Sequence, residues 1–248
     1  MVRVRKLKRP PIAEALVDLR VVPSEGDPIE RLSALRDAVA SDFTSIQPLQ
    51  QVQFSLPDLA TTGGPVSAGV RLHGYLLKAE GRNRLLQIRR DGLTVNQLPP
   101  YPDWAVLRPL ALAWLGTYLE HLKPRLIQRV ALRYINRIEL PSPARVDRYI
   151  TSFPAPPRGC PKVTTGVWSR ISTESSEGGI RAVVTQALEA GSSRDRQTVL
   201  FDIDCAREQD AGLEPSDLEA VLEALHDLKN RIFFSSITEA MAKKLDEA

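Results

Sequence analysis

One segment, Arg129–Leu140, constrains this chain more than any other. Its even positions are Val130, Leu132, Tyr134, Asn136, Ile138 and Leu140, and its odd positions include Arg129, Arg133, Arg137 and Glu139. Apolar and ionic side chains alternate with a period of two. A strand sends successive side chains to opposite faces, so this pattern predicts a half-buried antiparallel strand with one charged side. Ile12–Val22 repeats the design. Ala13, Ala15, Val17, Leu19 and Val21 lie on one side, and Glu14, Asp18 and Arg20 on the other.

The remaining elements follow from period and punctuation. Asp27-Pro28 reads as N-cap and first residue of a helix with an apolar stripe of Ile29, Leu32, Leu35, Val39 and Phe43. Short strands follow at Gln51–Leu56 (Val52, Phe54 and Leu56 inward), Gly69–Ala79, Arg84–Arg90 and Leu93–Leu98, with Asp91-Gly92 as a turn pair. In Gly69–Ala79 the expected apolar side is Val70, Leu72 and Leu76, opposite Arg71, His73 and Tyr75. A proline cannot donate within a helix interior, so the next helix is expected to begin at Pro109 and to run to about His121. In the second half, Ala144–Ile150 reads as a short helix. Thr165–Thr173, Arg181–Gly191 and Val199–Cys205 read as strands. Ser216 with Glu219 reads as the capping box of a long helix carrying Leu218, Val221, Leu222, Leu225, Leu228 and Ile232, broken near Ser235-Ser236.

This order predicts an α+β fold in which β-α-β(3-4)-α halves, residues 1–124 and 125–248, form one twisted, mainly antiparallel sheet, a half-barrel or saddle, backed by helices. The two halves read as a duplication by element order. That order resembles the TATA-binding-protein-like topology, a likeness from which function does not follow.

Composition excludes several classes. The chain is 43% hydrophobic and 25% charged with a net charge of +3, so bulk charge does not argue for nucleic acid. Cys160 and Cys205 are far apart with no histidine nearby, which fits neither a disulfide framework nor a zinc site. No apolar run is long enough for a membrane span, and the basic N-terminus lacks the apolar stretch of a signal peptide. A cytoplasmic protein with no membrane partner is expected. His73, His121 and His226 have no neighbours at metal-ligand spacing. Glycine-rich phosphate loops, Gly-x-Ser-x-Gly, His-Glu-x-x-His and Cys-x-x-Cys are all missing. No catalytic residue, metal ligand or cofactor is therefore assigned.

The charged face remains as the candidate site. Parity places Glu14, Asp18, Arg20, Arg71, His73, Arg89, Arg133, Arg137, Asp202 and Asp204 there, with Gln87 and Glu139. These ions could satisfy one another across strands. Alternatively, the arginines could hold a phosphate or carboxylate while the acids orient them. A third possibility is that Asp202 and Asp204, with Glu14 or Asp18, share a hard cation for phosphoryl transfer or triphosphate cleavage. Tyr75, and secondarily Trp168, are the aromatics expected on that face, where stacking on single-stranded nucleic acid would need them.

Several phrases together carry a resemblance. They are Pro10-Pro-Ile-Ala-Glu-Ala-Leu-Val-Asp-Leu-Arg20, Leu86-Gln-Ile-Arg-Arg-Asp-Gly-Leu-Thr-Val-Asn96, Pro100-Tyr-Pro-Asp-Trp104, Arg129–Glu139, Asp202-Ile-Asp204 and Leu225–Thr238. Over nearly its whole length the chain resembles the sporadically distributed prokaryotic family catalogued as TIGR04255. The resemblance implies no particular activity, substrate or catalytic residue. Its patchy distribution implies an accessory role, in mobile-element or defence islands. The expectation is thus a non-catalytic binding protein whose charged face engages a protein partner or anionic ligand, in a bacterial defence or toxin-neutralising setting. Nucleic-acid binding and metal-dependent phosphoryl transfer are the alternatives.

Overall fold

The computed structural model describes residues 5–26, 29–55, 67–141, 145–161, 164–175, 178–190 and 195–246, with only the backbone at 52–55, 67–69 and 190. The expected cap at Asp27-Pro28 and the inward-facing side chains of Val52, Phe54 and Leu56 lie outside that description. The architecture is α+β. In chain order the elements are β1 (Ile12–Val22), α1 (Ile29–Val39), β2 (Ser45–Ser55), β3 (Ser67–Ala79), β4 (Arg84–Arg89), β5 (Gly92–Gln97), α2 (Trp104–Leu122), β6 (Leu126–Pro141), β7 (Val167–Glu174), β8 (Ile180–Ala190), β9 (Arg196–Leu213), α3 (Leu218–Ser236) and α4 (Glu239–Asp246). All strands join one open antiparallel sheet in the order β2-β3-β4-β5-β1-β6-β9-β8-β7. The first strand of each predicted half, β1 and β6, pair at its centre.

The alternation in β1 and β6 decides which face is covered. Ala15, Val17 and Leu19 are fully buried, as are Val130 and Leu132. They meet Leu32 and Leu35 of α1, Leu107, Leu115 and Tyr118 of α2, and Leu222 and Leu225 of α3 in one apolar core. Burying each such side chain contributes about 1.5–3 kcal/mol, so this face is fixed by the pattern. The opposite face carries the ions.

Several expected boundaries move. α2 begins at Trp104, and Pro109 sits inside it. The missing N–H of Pro109 is tolerated because Trp104 and Leu107 bury the preceding turn and the Asp103 carbonyl accepts from Val106 and Leu107. The Ser216–Glu219 capping box does not form. A 3₁₀ turn at Pro215–Asp217 leads into α3 with no side-chain cap bond. The short helix expected at Ala144–Ile150 is a 3₁₀ turn at Val146–Arg148. β9 extends well past Cys205, because its second half pairs with β6 and β8 rather than forming a loop.

The parity expected for β3 holds only in part. Its register against β2 slips by one residue between Leu49 and Gln50, where Gly74 and then Leu72 are the partners. His73 is the extra residue, and such a bulge changes the phase of alternation. Leu72 packs on the core on one side of the slip, and Tyr75, Leu77 and Ala79 are buried on the other. Gly74 is required there. A Cβ at this position would lie 2.0 Å from the Ile88 carbonyl oxygen of β4.

Candidate functional site: a charged sheet face with an arginine-lined edge

The uncovered face is built from the even residues of β1, the odd residues of β6 and the even residues of β9. At its centre Asp18 accepts from the Thr94 hydroxyl at 2.6 Å, Arg89 Nη2 at 3.0 Å and Arg129 Nη1 at 3.2 Å. Its side chain is 14% exposed, a burial a carboxylate sustains only when donors replace its lost water. Arg129 also donates to both oxygens of Asp204, at 3.2 and 3.1 Å, and lies 2.9 Å from Glu208 Oε1. Arg133 forks onto Asp202 through Nε (2.8 Å) and Nη2 (2.6 Å), the planar geometry that suits guanidinium to carboxylate. The Asp202 side chain beside it holds the Arg133 pKa above its usual value. Burial pushes the Asp204 carboxyl upward, against the opposing pull of Arg129 and Arg133. Glu14 accepts from the Asn96 amide, while Asn96 Oδ1, on the same buried side chain, has no partner among the described residues.

Eight of the ten expected site residues, Glu14, Asp18, Arg20, Arg89, Arg133, Arg137, Asp202 and Asp204, therefore share one face. Three stand apart from its centre. Arg137 is on the same face but points to its far end, 3.5 Å from Glu189. His73 sits at the β3 bulge, 3.4 Å from Asp91, which in turn lies 3.5 Å from Arg89. Arg71 is exposed and makes none of these contacts. Tyr75 is not on the open face. The phase change in β3 buries it beneath α1, where its hydroxyl meets Ser33 and Arg36.

Trp168, the second aromatic expected there, does lie on the open face. It stands opposite Ala187, and Arg170 stands opposite Thr185, itself opposite Asp202, so both belong to the open face. Trp168 is 70% exposed. A cleft of about 230 Å³ beside them is lined by Arg20, Arg129, Arg170 and Arg181 against Asp204 and Glu208. Arg129 is saturated by acids, and Arg181 donates to Ser172 at 3.0 Å. Arg170 has no carboxylate partner among the described residues. The cleft thus carries four cations against two anions, the surplus lying towards β7. Arg129 was not among the expected site residues, although its parity in the opening segment puts it on this face. Nor were Arg170, Arg181 and Glu208: β7 lacks a clean apolar side, and Glu208 follows the expected end of its strand.

The acids are not arranged as cation ligands. Both oxygens of Asp202 and of Asp204 face guanidinium groups. Among the described residues no group of three or more His, Cys, Asp or Glu side chains is placed to hold a metal ion. Cys160 is exposed and Cys205 buried, with burial pushing the Cys205 thiol up to about 12. Among the described residues no helix is long and apolar enough to cross a membrane. No family model matches the chain, and no curated protein matches it either.

Proposed function

We propose that this chain is a non-catalytic binding protein that captures an acidic segment of a protein partner along β7, beside the arginine-lined cleft. The observation that carries this is the combination at one sheet edge. β7 ends the strand order, most of its residues are exposed, and it presents Trp168 on one face and Ile171, 56% exposed, on the other. An edge strand offers a row of unpaired backbone groups, which proteins ordinarily blunt with charge, proline or cover. Here the only charges on the strand are Arg170 and Glu174. A partner strand added to this edge would gain main-chain hydrogen bonds, and its acidic side chains would meet Arg170 and, on the next strand, Arg181. The centre of the face serves as a rigid support, because its acids and arginines already satisfy one another. A place in a defence or toxin-neutralising system, and the likeness to the TIGR04255 family, accord with such a role.

A fluorescent peptide alternating glutamate with valine tests this by anisotropy at low and moderate salt. Binding is expected to weaken at least tenfold in Arg170→Ala/Arg181→Ala and to fall as salt rises. The exposed Trp168 beside arginines is also what single-stranded nucleic acid would use. Tight binding of an oligothymidylate with no binding of the peptide would transfer the site to that reading, and binding of neither would sink both.

A further inference from the structure

A second site lies on the other side of the sheet, where the N-terminal segment crosses the end of α3. A cavity of about 450 Å³ opens there, lined by Tyr101, Trp104, Tyr134, His226, Lys229 and Phe233 among others. Aromatic rings form part of its wall. Trp104 and His226 stack at 4.6 Å with an interplanar angle of 8°, and Phe233 meets Phe234 edge-on. Into this cavity the fold places an amine. Lys229 is 8% exposed, its Nζ lies 3.8 Å from the centroid of the Tyr134 ring, and it donates to Asn230 Oδ1 at 2.7 Å. It has no carboxylate partner among the described residues. A buried ammonium without an anion is among the costliest groups a core can hold, and the ring face offsets only part of that cost.

A second donor is also available. The Tyr101 and Tyr134 hydroxyls share one hydrogen bond at 2.6 Å, which uses one of their two protons. The other has no described acceptor. At the mouth stand Arg5, Lys6 and Lys8. Asp103 is the one lining acid, and Lys6 holds it at 2.6 Å. Arg5 is itself paired with Glu239 and Asp246, and Glu223 accepts from Trp104 Nε1, so within the cavity the cation without a described acid is Lys229, and the unmet groups there are donors.

We infer that this cavity binds a small organic carboxylate, its flat apolar body against Trp104 and Phe233 and its anion on Lys229 and the tyrosine pair. The inference does not rest on the function proposed for the sheet face, which lies on the opposite side. A carboxylate would supply the counter-ion that Lys229 lacks, and would draw a proton onto it. Burial holds the Lys229 amine down to about 7. The titratable groups around it are His226, Cys205, Tyr101, Tyr134 and Asp103, with the basic side chains of the mouth. Burial keeps His226 at about 4, and it raises Tyr101 to about 12, Cys205 to about 12 and Tyr134 well above its ordinary value. Asp103 is lowered by its bond to Lys6. Of the buried groups, Lys229 alone changes charge between pH 6 and 9.

The experiment is calorimetric titration of the full chain with benzoate, 2-naphthoate and decanoate, with 2-naphthamide as the neutral comparison, in buffers of different ionisation enthalpy. At least one carboxylate is expected to bind with uptake of up to about one proton at pH 8 and none at pH 6, its affinity falling roughly tenfold per pH unit above the Lys229 pKa. Lys229→Met removes the buried amine at nearly constant shape and should abolish the proton uptake and weaken binding at least tenfold. Tyr101→Phe should weaken it several-fold. Failure of all three carboxylates to bind at millimolar concentration would overturn the inference. So would equal affinity for the amide, or binding and proton uptake that survive in Lys229→Met.

Discussion

Arg129 reaches diagonally across the central strand pair to Asp18, its Nη1 3.2 Å from Asp18 Oδ2. The residue directly opposite Arg129 is Arg20, a like charge. Like charges in register are unfavourable in an antiparallel pair, and Asp18 resolves the conflict by standing 3.7 Å from Arg20 as well. One carboxylate thus holds three arginines, from β1, β4 and β6, and ties the strands of the two predicted halves together on the open face.

Asp18→Asn should therefore cost more than any exposed ion pair on this sheet. It removes the anion while leaving Arg89 and Arg129, at 16% and 14% side-chain exposure, facing one another's field. A loss of about 2 kcal/mol or more is expected from urea unfolding. Glu189→Gln, which breaks only the half-exposed contact to Arg137, should stay within about 0.5 kcal/mol.

Arg133 and Asp202 should behave as a coupled pair. Arg133→Ala strands a carboxylate at 7% exposure and is expected to cost about 1–3 kcal/mol, screened because Arg133 itself is 41% exposed. Removing both charges with Arg133→Met/Asp202→Val should cost less than the sum of the single changes. A double-mutant cycle reads the difference, and additive losses would mean the fork contributes nothing.

Lys229 gives the core a pH dependence of definite sign. Its folded pKa, lowered to about 7, lies below the unfolded value near 10.5. Between these limits the unfolded chain binds a proton that the folded chain does not, so this contribution to stability rises with pH and is lost as pH falls towards 7. Lys229→Met should be more stable than the parent by ~2–4 kcal/mol at pH 6, with the advantage shrinking steadily towards pH 9. His226, lowered to about 4 by burial, adds a further loss for both proteins between pH 6.5 and 4.

The two cysteines should separate cleanly in a thiol assay. Cys160 is exposed and is expected to react at once under native conditions. Cys205 is buried with its thiol pKa pushed up to about 12, so it should react only on unfolding, at the global unfolding rate.

The parts legible in the sequence were those where one physical rule acted alone. The alternation in β1 and β6 identified the covered and open faces, because a one-residue shift there would expose Val17 and Leu132 together. The same rule applied to β3 placed Tyr75 on the wrong face, because Leu76 obscures the shift of the apolar positions to Leu77 and Ala79 that the bulge at His73 produces. Pro109 was read as a helix start on local grounds, but burial of Trp104 and Leu107 outweighs one missing hydrogen bond. The far half of β9, rich in charge, lies past the strand end expected at Cys205 and is strand because β6 and β8 flank it. The aromatic cavity was invisible as a site. Trp104, Tyr134 and Lys229 lie on three separate elements, and each alone reads as an ordinary core or surface residue.

Hydrogen exchange of β7 with and without the bound acidic peptide tests the central claim most directly. If the partner segment adds a strand at this edge, amides within Val167–Glu174 should gain protection on binding, with lesser change in the already paired β6. Peptide binding that leaves β7 exchange unaltered would contradict strand addition and place the contact elsewhere on the molecule.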